Sequence, residues 1–99
     1  MKYIPEELQG REITLEHLNL SEIAWRKNDA LKLVGHLQSK GAFILGGDVL
    51  KKEIDGYRHN YDSWYLNPEN GDAIQSAEHA RSCINKYPDG DYAFVFVVA

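Results

Sequence analysis

Residues 43–65, FILGGDVLKKEIDGYRHNYDSWY, decide the fold of this chain. Two alternating runs, residues 49–54 and 57–65, flank Asp55-Gly56. A two-residue Asp-Gly loop in this position predicts a β-hairpin, because both turn residues need positive φ. Before the hairpin, a short buried strand at residues 42–45 ends at Gly46-Gly47-Asp48. Adjacent glycines permit a bulge or a tight corner, and an aspartate can satisfy the backbone N–H groups freed there. We therefore predict that Gly46, Gly47 and Asp48 form a structural turn.

The alternation of side chains sorts the predicted hairpin into two faces. With Asp55-Gly56 as the loop, one face is mainly apolar and is the predicted core side. The other face is polar in its outer part, where opposite charges lie across the strands. The apolar face holds Leu50, Ile54, Tyr57, Tyr61 and Tyr65, with Lys52 and His59 between them; the polar face holds Glu53 opposite Arg58, Lys51 opposite Asn60, and Val49, Asp62 and Trp64.

Trp64 is unusual because a tryptophan occupies the less apolar face. Tryptophan and tyrosine dominate binding hot spots, so one interpretation is that Trp64, beside Asp62, anchors a partner. The other is that a helix or the N-terminal segment covers this end of the face and Trp64 belongs to the core. The predicted partner-binding residues are Glu53, Asp55, Arg58, Asp62 and Trp64.

One helix is predicted before the hairpin and one after it. Asn28 is a good N-cap and Gly41 a left-handed stop, so the first helix is expected over residues 28–40, with its apolar residues at helical spacing. The second helix is expected over residues 72–87, where alanines and isoleucine recur every three or four residues. Both helices are expected to pack their apolar faces on the sheet.

The two ends of the chain differ in regularity. Residues 92–99, YAFVFVVA, are apolar on both faces and predict an interior strand. Residues 1–22 predict an irregular or short helical lead-in, followed by a short strand or turn at SEIAW. The whole pattern predicts a single α+β domain over residues 1–99, with a small, mainly antiparallel β-sheet and two main helices packed on it.

Composition narrows the classes of partner. Fifteen acidic against eleven basic residues give a net charge of −4, which argues against nucleic-acid binding because that needs clustered lysine and arginine. The charge suits a basic protein partner, although it also fits a small domain that is merely kept soluble. The single cysteine, Cys83, excludes an intramolecular disulfide and fits a reducing compartment. No apolar run approaches membrane-spanning length, so we expect a cytoplasmic protein.

The residue types needed for catalysis or metal binding are present but scattered. Gly-Gly-Asp lacks the lysine and serine or threonine of a phosphate-binding loop. In the hairpin, His59 and Ser63 share a face that excludes Asp62, so no hydrolase triad is expected. His79 and Cys83 are four residues apart on one helix, without further ligands at metal-site spacing. We therefore predict no catalytic residues, no metal and no cofactor.

Two motifs resemble a known family. The first is ILGGDV, residues 44–49, preceded by a helix that ends in KG, and the second is YDSWY, residues 61–65, about a dozen residues later. Together with LNLSEIAW before NDALKL, they make residues 18–88 similar to the immunity proteins of family 40 from bacterial polymorphic toxin systems. The chain departs from that pattern at Leu50, where an aromatic residue is expected, and at Ser63, where asparagine is.

The resemblance implies a small α+β protein encoded beside a secreted toxin, which binds that toxin and keeps it inactive. It implies no catalytic residues and does not name the toxin, because immunity families are matched to toxins pair by pair. Our leading hypothesis is a toxin-neutralising protein that acts by one-to-one steric occlusion. The alternative is a small regulatory or scaffold module that binds an unrelated partner, or its own copy, through an exposed sheet edge. An enzyme of unknown chemistry ranks third.

Overall fold

The computed structural model describes residues 4–18 and 22–99, and in these the chain forms an α+β fold as predicted. Part of the predicted lead-in, with the start of SEIAW, lies outside the described residues. The rest of the lead-in consists of two single-turn 3₁₀ helices around a two-residue strand. The strands and longer helices are β1 (Ile13–Thr14), β2 (Ile23–Arg26), α1 (Lys27–Ser39), β3 (Ile44–Glu53), β4 (Gly56–Tyr65), α2 (Ala73–Ile84) and β5 (Tyr92–Val98).

One five-stranded sheet organises the described residues, in the order β1-β2-β5-β3-β4 with every pair antiparallel. The prediction of an interior strand near the C-terminus is confirmed, because β5 lies between β2 and β3. Its side chains alternate: Phe94 and Phe96 join the core that contains the helices, whereas Ala93 and Val95 join a smaller cluster. In residues 4–18 and 22–99, no helix is long and apolar enough to cross a membrane.

Helix α1 begins one residue earlier than predicted, directly after β2. Arg26, not Asn28, is the N-cap, and its side chain makes no capping hydrogen bond. Asp29 in the first turn is buried and accepts a hydrogen bond from Arg11 Nε at 2.9 Å. The predicted stop is confirmed, because Gly41 has φ +70° just past the helix, a conformation that glycine adopts without steric cost.

Helix α2 begins at Ala73, one residue later than predicted, and ends three residues early, at Ile84. Asp72 and Gln75 form a capping box: the Asp72 side chain accepts from the Gln75 N–H at 2.8 Å, and the Gln75 side chain accepts from the Asp72 N–H at 2.9 Å. These bonds satisfy N–H groups that a helix start leaves unpaired. Ala77, Ala80 and Ile84 are buried against the sheet.

The hairpin is present, but its turn lies one residue earlier than predicted. Glu53 pairs with Gly56, so the loop is Ile54-Asp55, and Lys52 lies opposite Tyr57. Gly56, the first residue of β4 after the loop, has φ +121°. Further along, the register shifts between Asp48 and Leu50, where β4 has extra residues relative to β3.

Of the bulge and the tight corner predicted at Gly46-Gly47-Asp48, the tight corner is wrong, because β3 runs through these residues without interruption, whereas a bulge-like irregularity is present. The register of β3 shifts on both sides of them, relative to β5 before Gly46 and to β4 after Asp48. A Cβ on Gly46 would lie 2.1 Å from the carbonyl oxygen of Trp64. A Cβ on Gly47 would lie 2.2 Å from the carbonyl oxygen of Val95 and 2.4 Å from Cη2 of the Trp64 ring. The two glycines therefore permit close approach inside the sheet and do not turn the chain.

The prediction of which hairpin face is the core side is also wrong. The helices cover the face that carries Val49 and Trp64. On the opposite face, Leu50 and Tyr57 pack under Leu15 in a smaller cluster, and Tyr65 is 66 % exposed. Ile54 is fully exposed in the loop. The number of apolar residues on each face of the hairpin could not show which face the helices cover, because the helices and their apolar faces lie elsewhere in the sequence. The Tyr61 side chain is outside the described part of the structure.

Candidate functional site

The tip of the hairpin is a charged, exposed loop. Asp55 and Arg58 form an ion pair, with Arg58 Nε donating to Asp55 Oδ1 at 3.2 Å and a second bond from the other arm of the guanidinium. The hydrogen bond from Arg58 lowers the pKa of Asp55, and the same bond raises the pKa of Arg58. Glu53 is exposed beside them but lies opposite Gly56, so the predicted cross-strand pair of Glu53 and Arg58 is wrong: Arg58 lies opposite Lys51.

Asp62 lies farther along β4 and is tied to the end of α2. The hydroxyl of Tyr87 donates a hydrogen bond to Asp62 Oδ2. Burial and then this bond raise the pKa of Tyr87 to about 12. The Asp62 N–H donates to the Asn60 side chain at 3.1 Å, within the irregular part of β4. Asp62 therefore has an exposed carboxylate in a fixed position, beside a cavity of about 190 Å³ that Lys86 and Cys83 also line.

Trp64 is a core residue and not an exposed anchor for a partner. It is 8 % exposed, and its ring meets Phe96 edge-on with centroids 5.9 Å apart. Its ring also covers Gly47. Trp64 fixes β4 against the helix-covered core and does not present its indole at the surface. The five predicted partner-binding residues are thus divided between the hairpin tip, Asp62 and the core.

A second surface, absent from the prediction, lies on the sheet face opposite the helices. Leu15 covers the end of this face near the hairpin tip, and His17 Nε2 donates to the Tyr57 carbonyl there. Nothing in residues 4–18 and 22–99 covers the other end, which has a groove of about 230 Å³. We call it the open-face groove, and its members on this face are Gly46, Asp48, Ser63, Tyr65 and Val97.

The open-face groove combines apolar walls with one acid. Tyr65 is 66 % and Val97 48 % exposed, although large apolar side chains normally gain by burial. The Asp48 side chain is 38 % exposed, with Oδ1 3.4 Å from Nε2 of His59. Sequence reasoning placed Tyr65 in the core and Val97 in an interior strand. No local signal indicates the groove, because Gly46, Tyr65 and Val97 come together only through the pairing of three strands.

The other reactive side chains are not gathered into one centre. Within residues 4–18 and 22–99, no group of three or more histidine, cysteine, aspartate or glutamate side chains could hold a metal ion. His79 Nε2 and Cys83 Sγ are 4.0 Å apart on α2, and burial raises the pKa of the Cys83 thiol. His59 contacts Asp48 on the open face, whereas Asp62 accepts from Tyr87.

A family of known proteins matches most of the chain. A search of curated proteins finds no significant relative. The family model described as immunity protein 40 matches residues 14–98 of the 99-residue chain. The match spans every element from the second residue of β1 to the end of β5. The chain therefore belongs to the immunity protein 40 family.

Proposed function

We propose that this protein binds a cognate bacterial toxin and neutralises it by one-to-one steric occlusion, without catalysis. The observation that carries the proposal is the family match over residues 14–98. In this proposal the chain acts as a single domain in the cytoplasm, within a polymorphic toxin system used in competition between bacteria. The toxin is a protein encoded beside the immunity protein, and no cofactor takes part.

The surface of β3 and β4 supports a role in binding a protein. Glu53, Asp55 and Asp62 carry exposed carboxylates along the hairpin, and the chain as a whole has a net charge of −4. The exposed cations Lys51, Lys52 and Arg58 lie among these carboxylates, so it is the net negative charge of the whole chain that would accelerate the capture of a basic toxin domain and disfavour acidic partners. We propose that the hairpin tip and Asp62 contact the toxin, while Trp64 holds β4 in place from the core.

Growth rescue tests the proposal as a whole. The polypeptide encoded by the reading frame adjacent to that of this protein is expressed from an inducible promoter, alone and together with the immunity protein. We expect growth arrest in the first case and growth in the second, with the two chains eluting together from a sizing column. Arrest that persists in the presence of the folded immunity protein would contradict the proposal.

Charge reversal tests the proposed contact surface. Asp62→Lys and Glu53→Lys are expected to weaken toxin affinity by at least about tenfold each, because a repulsive pair replaces an attractive one at the interface. Glu78→Lys is the matched control, since Glu78 is exposed on α2 and outside the proposed contact. Affinity is measured by calorimetry and folding by melting temperature. Wild-type affinity in both hairpin variants would exclude this surface while leaving neutralisation itself intact.

A further inference from the structure

We propose that the open-face groove binds an arginine side chain of a basic partner protein. The stem of the arginine lies over Gly46 between Tyr65 and Val97, and its guanidinium meets Asp48. The inference deepens the proposed function and rests on it for the nature of the partner, because it adds a specific pocket to the surfaces proposed to contact the toxin. The groove is separate from the hairpin tip and Asp62.

The shape of the groove follows from the register of three strands. Gly46 pairs with Tyr65 on β4 and with Val97 on β5, so these three residues form one row across the sheet. Neighbouring strands are spaced by about 4.8 Å, which places the two outer residues of the row about 10 Å apart. Gly46 in the middle has no side chain, and the Trp64 carbonyl oxygen lies 2.1 Å from where its Cβ would be, so backbone of β3 and β4 forms the floor between an aromatic and an aliphatic wall. Such a trough fits an extended alkyl chain or a planar guanidinium.

The charge of the groove is set by Asp48. In the adjoining row of the sheet, Asp48 lies between Ser63 and Val95, so it projects from β3 on the same face as Gly46. A carboxylate has room for about four hydrogen bonds. The contact with His59 at 3.4 Å engages one oxygen, Oδ1, and Asp48 lines the groove. The Ser63 hydroxyl, exposed across from Asp48, adds a further acceptor.

These features favour arginine over the other occupants of such a groove. An aliphatic or aromatic side chain would bury the walls but would desolvate Asp48 without pairing it, which is costly. A second copy of the chain would bring together two molecules of net charge −4, which repel each other. Arginine suits both the aromatic wall and the carboxylate of the groove, because its guanidinium stacks on aromatic rings and pairs with carboxylates in a planar fork.

A titration of the isotopically labelled protein with N-acetyl-arginine amide tests the inference. The control ligand is N-acetyl-citrulline amide, which has nearly the same shape and no charge. We expect saturable amide shifts confined to residues 46–48, 63–65 and 97, with millimolar affinity. We expect citrulline to bind more weakly by up to about fivefold, the effect of losing one exposed ion pair.

Variants locate the binding to the groove. Asp48→Asn should reduce arginine affinity to the level of citrulline, and Tyr65→Ala should weaken both ligands. Glu78→Gln removes the same charge from an exposed position on α2 and should leave both affinities unchanged. All three changes are at exposed or half-exposed side chains, and the dispersion of the amide spectrum reports directly whether each variant is folded.

Several results would overturn the inference. These are the absence of saturable shifts at the groove, equal affinity for the two ligands, or unchanged arginine binding in folded Asp48→Asn. Shifts at these residues that depend on protein concentration without ligand would identify the groove as an interface between copies instead. The titration uses no toxin, so the two proposals can fail separately. If growth rescue succeeds but arginine does not bind, only the assignment of the groove is rejected. If arginine binds but growth rescue fails, only the neutralisation of the toxin is rejected.

Discussion

At the residue scale, Gly47 is where β3, β5 and the Trp64 ring come closest. A Cβ there would overlap both the Val95 carbonyl and the ring, so Gly47→Ala should lower the free energy of unfolding by about 2 kcal/mol or more. Gly35→Ala is the control, because a Cβ at Gly35 in α1 meets nothing within 4 Å. It should raise stability by about 0.5–1 kcal/mol through helix propensity. Urea unfolding measures both, and equal effects would refute the close approach.

The two arginine–aspartate pairs should differ in what they contribute. Asp29 is 1 % exposed and accepts from Arg11 at 2.9 Å, whereas Asp55 and Arg58 are both exposed. Arg11→Ala leaves a buried carboxylate without its partner and should cost about 1–3 kcal/mol of stability. Arg58→Ala should have no measurable effect on unfolding, because solvent screens the pair. Equal melting temperatures for the two variants would contradict this account.

Asp62 should control the ionisation of Tyr87. Burial and the bond to Asp62 raise the Tyr87 pKa from 10.0 to about 12. Because the folded-state pKa is the higher one, this stabilisation is complete below pH 10 and is lost as pH rises towards 12. Asp62→Asn should lower the Tyr87 pKa but leave it above 10.0, since burial is the larger cause. Ultraviolet titration of tyrosinate, with Tyr87→Phe to identify the signal, measures it. An unchanged titration in the folded variant would show that the bond has no influence.

At the scale of elements, Trp64 joins the hairpin to the helix-covered core. Trp64→Ala should lower the free energy of unfolding by about 3–5 kcal/mol, a large share of the stability of a small domain. Tyr65→Ala is the matched control, one residue along the same strand and 66 % exposed, and it should change stability little. Thermal unfolding of the two variants provides the measurement. A Trp64→Ala protein as stable as wild type would mean that the ring does not hold β4.

The sequence predicted the existence and type of the main elements because each has a local signal. Gly41 stops α1, Asp72 starts α2, and the apolar run of β5 indicates an interior strand. No local signal showed that Gly46-Gly47 lie inside a strand. The glycines are required there because the Trp64 backbone and ring and the Val95 carbonyl approach them closely, and these residues are distant in sequence. The hairpin turn also lies one residue earlier than the Asp-Gly signal predicts, because Gly56, with φ +121°, pairs with Glu53 as the first residue of β4.

At the scale of the whole molecule, the candidate site was only partly predictable. Charged residues of the hairpin tip and Asp62 are exposed as an interaction surface requires, but Trp64 is not. The open-face groove joins β3, β4 and β5, so no single segment could indicate it. Which face the helices cover decides what a partner can reach, and that choice is made by tertiary packing. Function itself was indicated by the family motifs and not by any assembled chemistry.

The stoichiometry of inhibition tests the central claim most directly. The purified protein is titrated into the proposed toxin, the polypeptide encoded by the adjacent reading frame, at a concentration far above the dissociation constant, and the activity of that polypeptide is followed. Occlusion predicts a linear loss that ends at one equivalent, with an intact complex and toxin of unchanged mass that regains activity when the complex is dissociated. Loss of activity at a small fraction of one equivalent, with a lasting covalent change in the toxin, would contradict the account, because it would show that the protein acts as a catalyst.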